Sequence, residues 1–318
     1  AKTNRTIYTY DSGSHTLKPF AWDKLTSAEQ GNFNIASIKT LTQFCAAGVY
    51  CLPASAQSDA AGAKLVSYLA GDRTYEGSTA DLSKYYRIRK HVLGDIVNSE
   101  ATYVKKTQFS FGDAGYADYA LSVVAGSLKK KVGANDGMLH AFSAEGETAG
   151  QEMWAYVPSF LFPNLYKLAD KKYANKHRFY VDGTPVARDV YFAGAWHTIL
   201  VGGMNNGGRG YYALDVTDPA HPPKALWEFT DNNLGYTYGN PVIAKLKDGT
   251  WVVMVSSGYN NASPGDGMGH LYVLNAQTGT LIRDISTGVG SATTPSGLAK
   301  ISAWFDNAET DYTALRVY

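Results

Sequence analysis

Seven histidines, two cysteines and a short acidic stretch near the end are the residues of this chain whose chemistry could go beyond packing. Hydrolysis needs a nucleophile beside its base, and no Gly-x-Ser-x-Gly, His-Glu-x-x-His or Gly-x-x-x-x-Gly-Lys-Ser/Thr segment occurs. The histidines do not fall at metal-ligand spacing. His140 sits inside an apolar strand pattern and His197 follows Trp196, so both read as packed or solvated side chains, and no catalytic residue is expected. Cys45 and Cys51 enclose only the residues 46–50. A single close pair suits a local disulfide in an oxidising compartment and lacks the further ligands a zinc site needs. Two separate thiols in a reduced protein are the other reading.

Charge and hydropathy narrow the partners. The formal net charge is +1, and the densest basic run, Lys129, Lys130 and Lys131, is too short to track a phosphate backbone. It reads as a solvated strand end, and no nucleic-acid partner is expected. No apolar stretch reaches the roughly 18 residues of a membrane-spanning helix, and any signal peptide is expected outside this sequence.

Two kinds of segment must position these residues. Over residues 1–90, Ile7 to Tyr10 form a strand pattern ending in Asp11, Ser12 and Gly13. Thr26 or Ser27 begins a helix, and Ser58 or Asp59 opens another that buries Leu65, Val66, Tyr68 and Leu69 and stops at Gly71. This part reads as a partly helical entry segment packed on the next domain.

Over residues 91–318 the pattern is strand, turn, strand, and it repeats. Val132 to Phe142 leads on to Trp154; Val201 to Asp215 leads on to Trp227; Val255 to Asn275 leads on to Thr278 and Gly279. Each copy closes a hairpin with Asn- and Gly-rich residues that tolerate positive φ. A further strand precedes the second and third copies, at 187–192 and 241–246. Four strands per repeat predict an all-β fold, a β-propeller with four-stranded antiparallel blades, over a β-sandwich. Three copies and a partial one from Gly297 fall short of the four to eight or so blades of a closed ring, so the chain reads as incomplete or paired with a second fragment. Trp154 and Trp227 recur at equivalent positions and are expected to pack between neighbouring blades.

Several long segments resemble, in order, the propeller of the PilC/PilY family of type IV pilus proteins. They include Leu93-Gly94-Asp95-Ile96-Val97-Asn98-Ser99, Gly133-Ala134-Asn135-Asp136-Gly137-Met138-Leu139-His140-Ala141-Phe142, Val181-Asp182-Gly183-Thr184-Pro185 and Tyr211-Tyr212-Ala213-Leu214-Asp215-Val216-Thr217-Asp218-Pro219. The resemblance covers about residues 64–318. It implies a non-catalytic pilus biogenesis factor and pilus-tip adhesin that acts with major and minor pilins, supports extension against retraction and twitching motility, and meets a host or abiotic surface. The implied location is extracytoplasmic: periplasm, outer-membrane surface or pilus tip.

Some members of that family carry an EF-hand-like calcium loop at the position of 306–315. Here Asn307, Glu309, Asp311 and the Thr313 carbonyl take ligand positions 1, 3, 5 and 7. Position 9 is Leu315 and the loop has no Gly, so the expectation is weak calcium binding or a decayed site held by hydrogen bonds. The rival function is a quinoprotein-like propeller dehydrogenase, suggested by Asn275 to Gly279. That chemistry needs a stacking floor such as a disulfide of adjacent cysteines, and Cys45 and Cys51 are neither adjacent nor within the repeats.

Overall fold

The computed structural model describes residues 4–104, 109–124, 129–219 and 221–318. Strands β1 (Ile7–Asp11) and β2 (Thr16–Pro19) form a hairpin whose turn is held by the Gly13 N–H donating to the Asp11 carboxylate at 3.0 Å. Four short helices follow: α1 (Ser27–Gly31), α2 (Ile35–Ile38), α3 (Ala54–Asp59) and α4 (Ala63–Leu69). Thr26 caps α1 in a reciprocal box with Glu29, which satisfies two otherwise orphaned N–H groups. The helix expected to open at Ser58 or Asp59 opens instead at Ala63, and Ser58 and Asp59 end α3. Gly62 lies between α3 and α4 at φ +65°, a conformation that interrupts the helical path and that L side chains resist. α4 buries Leu65, Val66, Tyr68 and Leu69, and Gly71 follows its end at φ +117°.

The remaining elements form three main sheets and the start of another. β3 (Thr102–Val104), β4 (Lys129–Ala134), β5 (Met138–Ser143) and β6 (Glu152–Val157) pair in succession, with α5 (Tyr116–Val124) between β3 and β4. α6 (Phe162–Leu165) then leads to β7 (Val186–Phe192), β8 (Ala195–Gly203), β9 (Tyr211–Asp215) and β10 (Lys224–Phe229). The third sheet is β11 (Val242–Lys245), β12 (Trp251–Ser256), β13 (Met268–Asn275) and β14 (Leu281–Gly290). β15 (Ala303–Trp304) and β16 (Arg316–Val317) make a two-stranded sheet.

Strand periodicity shows why these are blades. On β8, Leu200 joins the core beside the first sheet, while Ile199 and Val201 join the core beside the third. β9 repeats this, with Tyr212 and Leu214 on one side and Tyr211 and Ala213 on the other. The second sheet is therefore covered on both faces by successive sheets, whereas a two-sheet sandwich covers each sheet on one face only. The fold is a β-propeller with four-stranded blades.

The entry segment is more than a covering layer. β1 runs parallel to β6, with Ile7 opposite Ala155 and Thr9 opposite Val157, so the first sheet becomes six-stranded in the order β2-β1-β6-β5-β4-β3. Lys131, read as part of a solvated end, is buried on β4 between Thr102 and Ala141, because β4 is an interior strand of that sheet. The side chains of Lys129 and Lys130 lie outside the described residues.

Both tryptophans sit at blade seams. Trp227 on β10 donates its indole N–H to the Ala276 carbonyl of the third blade at 3.0 Å, and its ring lies where a Cβ on Gly279 would stand. Trp154 on β6 faces Val216, Pro219 and Pro223 of the second blade across a small gap.

Candidate functional site

The acidic stretch between β15 and β16 folds back on itself. The Asn307 carbonyl accepts the N–H groups of Thr310 (3.1 Å) and Asp311 (2.7 Å), and the Glu309 carbonyl accepts the Ser110 N–H at 3.0 Å. The loop is also stitched to β11: the Lys245 N–H donates to the Tyr312 carbonyl, and the Ala314 N–H to the Lys245 carbonyl, each at 2.9 Å. Lys245 Nζ then lies 3.0 Å from the Asp311 carboxylate and 2.9 Å from that of Asp113. A hydrogen bond from Thr313 and the Lys245 charge hold the Asp311 carboxyl below its ordinary range. Burial pushes the Lys245 ammonium down, and Asp113 and Asp311 more than reverse this.

The pairing of Asp311 with Lys245 works against a calcium site here. The ion takes about six to eight oxygens around one centre. Of the expected ligands, the Asp311 carboxylate is already paired with the Lys245 ammonium and accepts the Thr313 hydroxyl, which opposes a cation at that position. Among the described residues, no group of three or more His, Cys, Asp and Glu could hold a metal ion. The sequence motif counted oxygens along the loop and could not register a lysine arriving from residue 245.

Cys45 and Cys51 are joined as a disulfide, their Cα atoms 5.2 Å apart, in the connection between α2 and α3. The bond lies outside the strands of the blades.

Five of the seven histidines, His140, His177, His197, His221 and His270, are partners of carboxylates. His140 on β5 is fully buried, with Nε2 3.0 Å from Asp136 and Nδ1 2.6 Å from Glu152. Arg5 grips the other side of Glu152 through Nε (2.6 Å) and Nη2 (2.7 Å). Burial alone disfavours the His140 imidazolium, but Asp136 and Glu152 outweigh it and raise the pKa to about 9. Burial likewise disfavours ionised Glu152, yet Arg5 and His140 bring it down to about 2. The result is a buried charged chain, Arg5–Glu152–His140–Asp136, linking the entry segment to the first blade. His270 repeats the pattern in the third blade, with Nδ1 2.7 Å from Asp284 and Nε2 3.1 Å from Asp266. His197 binds Asp215 at 2.8 Å and stacks on Phe192 at 4.0 Å.

Sequence reasoning missed the repeated cluster, although it has a signal: Asp-Gly-Met-x-His occurs at both 136–140 and 266–270. It also missed Glu228 on β10, a half-buried residue whose carboxylate accepts from Tyr156 (2.5 Å) and from the Ser159 N–H (2.7 Å) and hydroxyl. Burial pushes its pKa up against those donors. It ties the end of the first blade to the second.

A cleft opens elsewhere. Where the β8–β9 turn meets the connections 158–185 and 230–241, a cleft of about 570 Å³ is lined by Phe160, Phe179 and Tyr236 together with Arg178 and Arg209. Its size is that of a small-ligand pocket, usually about 300–1,000 Å³. Its lining combines aromatic rings, amides and two guanidinium groups.

Comparison with known proteins agrees with this architecture. The profile of the family described as the PilY1 beta-propeller domain matches residues 93–314. Type IV pilus biogenesis factor PilY1 of Pseudomonas aeruginosa strain PAK is 34% identical over 306 residues, covering 93% of this chain and 24% of the relative. A PilY1 homolog of Xylella fastidiosa is 34% identical over 308 residues, with the same coverage of 93% and 24%. The crystal structure of the Pseudomonas aeruginosa PilY1 C-terminal domain superposes with a TM-score of 0.54 at 32% identity, over 67% of this chain and 41% of that one. The chain thus spans about a quarter of the length of these curated relatives. With blade order, repeat motifs and profile in agreement, the chain belongs to the PilY1 β-propeller family, a family of pilus biogenesis factors.

Proposed function

We propose that the chain is a non-catalytic module of an extracytoplasmic type IV pilus biogenesis factor. It acts with major and minor pilins, supports extension against retraction, and contributes at the pilus tip to adhesion on host or abiotic surfaces. The observation that carries this reading is 34% identity across 93% of the chain to a protein named for pilus biogenesis. The blades support it physically: polar residues that sequence motifs single out, His140 and Asp215 among them, are spent on holding strands together. The Cys45–Cys51 disulfide is in keeping with an oxidising compartment outside the cytoplasm. No helix among the described residues is long and apolar enough to cross a membrane.

The test is co-purification of the full-length protein with pilin subunits from a piliated strain. Recovery of minor pilins with the tagged protein is expected. Their absence, under conditions where the pilins still associate with one another, would remove the pilin-partner reading. Stoichiometric quinone uptake with dye-linked alcohol oxidation would replace it with the dehydrogenase.

A further inference from the structure

The cleft between the β8–β9 turn and the inter-blade connections has two guanidinium groups and no carboxylate among its lining residues. Arg209 is held in place: Nη1 donates to the Ser263 carbonyl at 2.9 Å and Nη2 to the Asn260 carbonyl at 2.6 Å, with Tyr236 5.9 Å away. Carbonyls position a guanidinium without neutralising it, so the charge and the other donors of the fork remain for a ligand. Arg178 is exposed, and its backbone is fixed by Tyr173, whose hydroxyl donates to the Arg178 carbonyl at 3.1 Å. Its charge reaches Lys167, where burial first and Arg178 second lower the ammonium pKa. One nearby acid, Asp95, is already engaged by His177 at 2.9 Å and by Asn135 at 3.0 Å.

The rest of the lining chooses among anions. Phe160, Phe179 and Tyr236 are only partly buried and bring aromatic rings to the lining, and Asn206 brings an amide; Asn164 Oδ1 accepts from Lys167, which leaves its NH2 group, and the Thr230 hydroxyl donates to the Arg209 carbonyl at 3.0 Å. The aliphatic lining residue, Leu161, is itself buried, so an aliphatic peptide side chain finds no seat. Ring faces suit the C–H face of a pyranose, amides suit its hydroxyls, and a guanidinium fork suits a carboxylate.

We propose that this cleft binds an acidic saccharide, its carboxylate between Arg178 and Arg209 and its ring against the aromatic wall. The proposal extends the adhesive part of the function above, but binding by purified protein does not depend on whether pili are assembled.

The test is isothermal titration of the full chain with a tetrasaccharide of alternating glucuronic acid and N-acetylglucosamine, beside a neutral N-acetylglucosamine tetrasaccharide and a tetraglutamate peptide. The acidic sugar is expected to bind at least about tenfold more tightly than either control, a difference one charge-assisted contact can supply. Arg178→Gln is expected to weaken it about tenfold with the unfolding midpoint unchanged, as suits an exposed side chain. Arg209→Lys keeps the charge, loses the fork and is expected to weaken binding likewise. Three results would overturn the proposal: no heat at millimolar sugar, equal binding of the neutral sugar, or equal or tighter binding of the peptide. Unchanged affinity in both arginine variants would overturn it as well.

Discussion

In the first blade, Asp136-Gly137-Met138-Leu139-His140 places a histidine between two carboxylates, and Arg5 closes the chain of charges from the entry segment. In the third blade, Asp266-Gly267-Met268-Gly269-His270 builds the same arrangement, with Asp284 in the role of Glu152. The surroundings differ. Asp136 is 13% exposed and Glu152 18%, whereas Asp266 is 39% exposed and Asp284 35%. β1 and the helices cover the outer side of the first sheet, while β14 leaves Leu281, Ile282, Ile285 and Val289 exposed. One sequence motif therefore yields a buried charged lock in one blade and a partly solvated surface cluster in another. What decides its energetic weight is the segment that covers it.

Breaking the buried lock should have the largest effect. His140→Ala leaves Asp136 and Glu152 buried without the charge between them, and a loss of about 3–5 kcal/mol in urea-unfolding stability is expected. The pH profile sharpens the same point. The raised pKa of His140, about 9 against an ordinary 6.5, gives stability that is complete below pH 6.5 and is lost as pH rises through 9. The lowered pKa of Glu152, about 2 against 4.5, gives stability that is complete above pH 4.5 and is lost as pH falls through 2. The lock is strongest between pH 4.5 and 6.5, and His140→Ala should flatten the decline on the alkaline side in equilibrium unfolding.

Within the covering segment, replacing Cys45 and Cys51 together by Ser should cost about 2 kcal/mol, since the loop they close is short. Non-reducing peptide mass spectrometry of exported protein should find the two cysteines linked; two free thiols would contradict the pairing. The smallest effect is expected in the open cluster. His270→Ala should cost about 1 kcal/mol or less, after discounting for solvent around its carboxylates. A His270→Ala loss as large as that of His140→Ala would break the comparison.

Much of the propeller was legible because its signals are local. The 187–192 and 241–246 patterns became β7 and β11, and the Asp215 carboxylate accepts the Thr217 N–H at 3.0 Å just before Pro219, as a turn-forming Asp does. The tryptophan positions marked blade seams because the repeat itself is periodic. The remaining features depend on residues far apart in sequence. Parallel pairing of Ile7 with Ala155 leaves no pattern in either segment, and Arg5 meets Glu152 across 147 positions. In the acidic loop, Asn307, Glu309 and Asp311 have plausible calcium spacing, which cannot register that Lys245 on another strand pairs with Asp311. The cleft is likewise assembled from the β8–β9 turn and two inter-blade connections, so neither Arg178 nor Arg209 stands out alone.

The proposed function requires that this propeller belong to a factor needed to make pili. Its most direct test is the amount of pilin sheared from the cell surface in a strain lacking the gene, with the same strain expressing the intact protein as reference. A marked loss of surface pilin with normal total pilin, restored by the intact protein, is the expected result. Undiminished surface pili in the deletion strain would contradict the account.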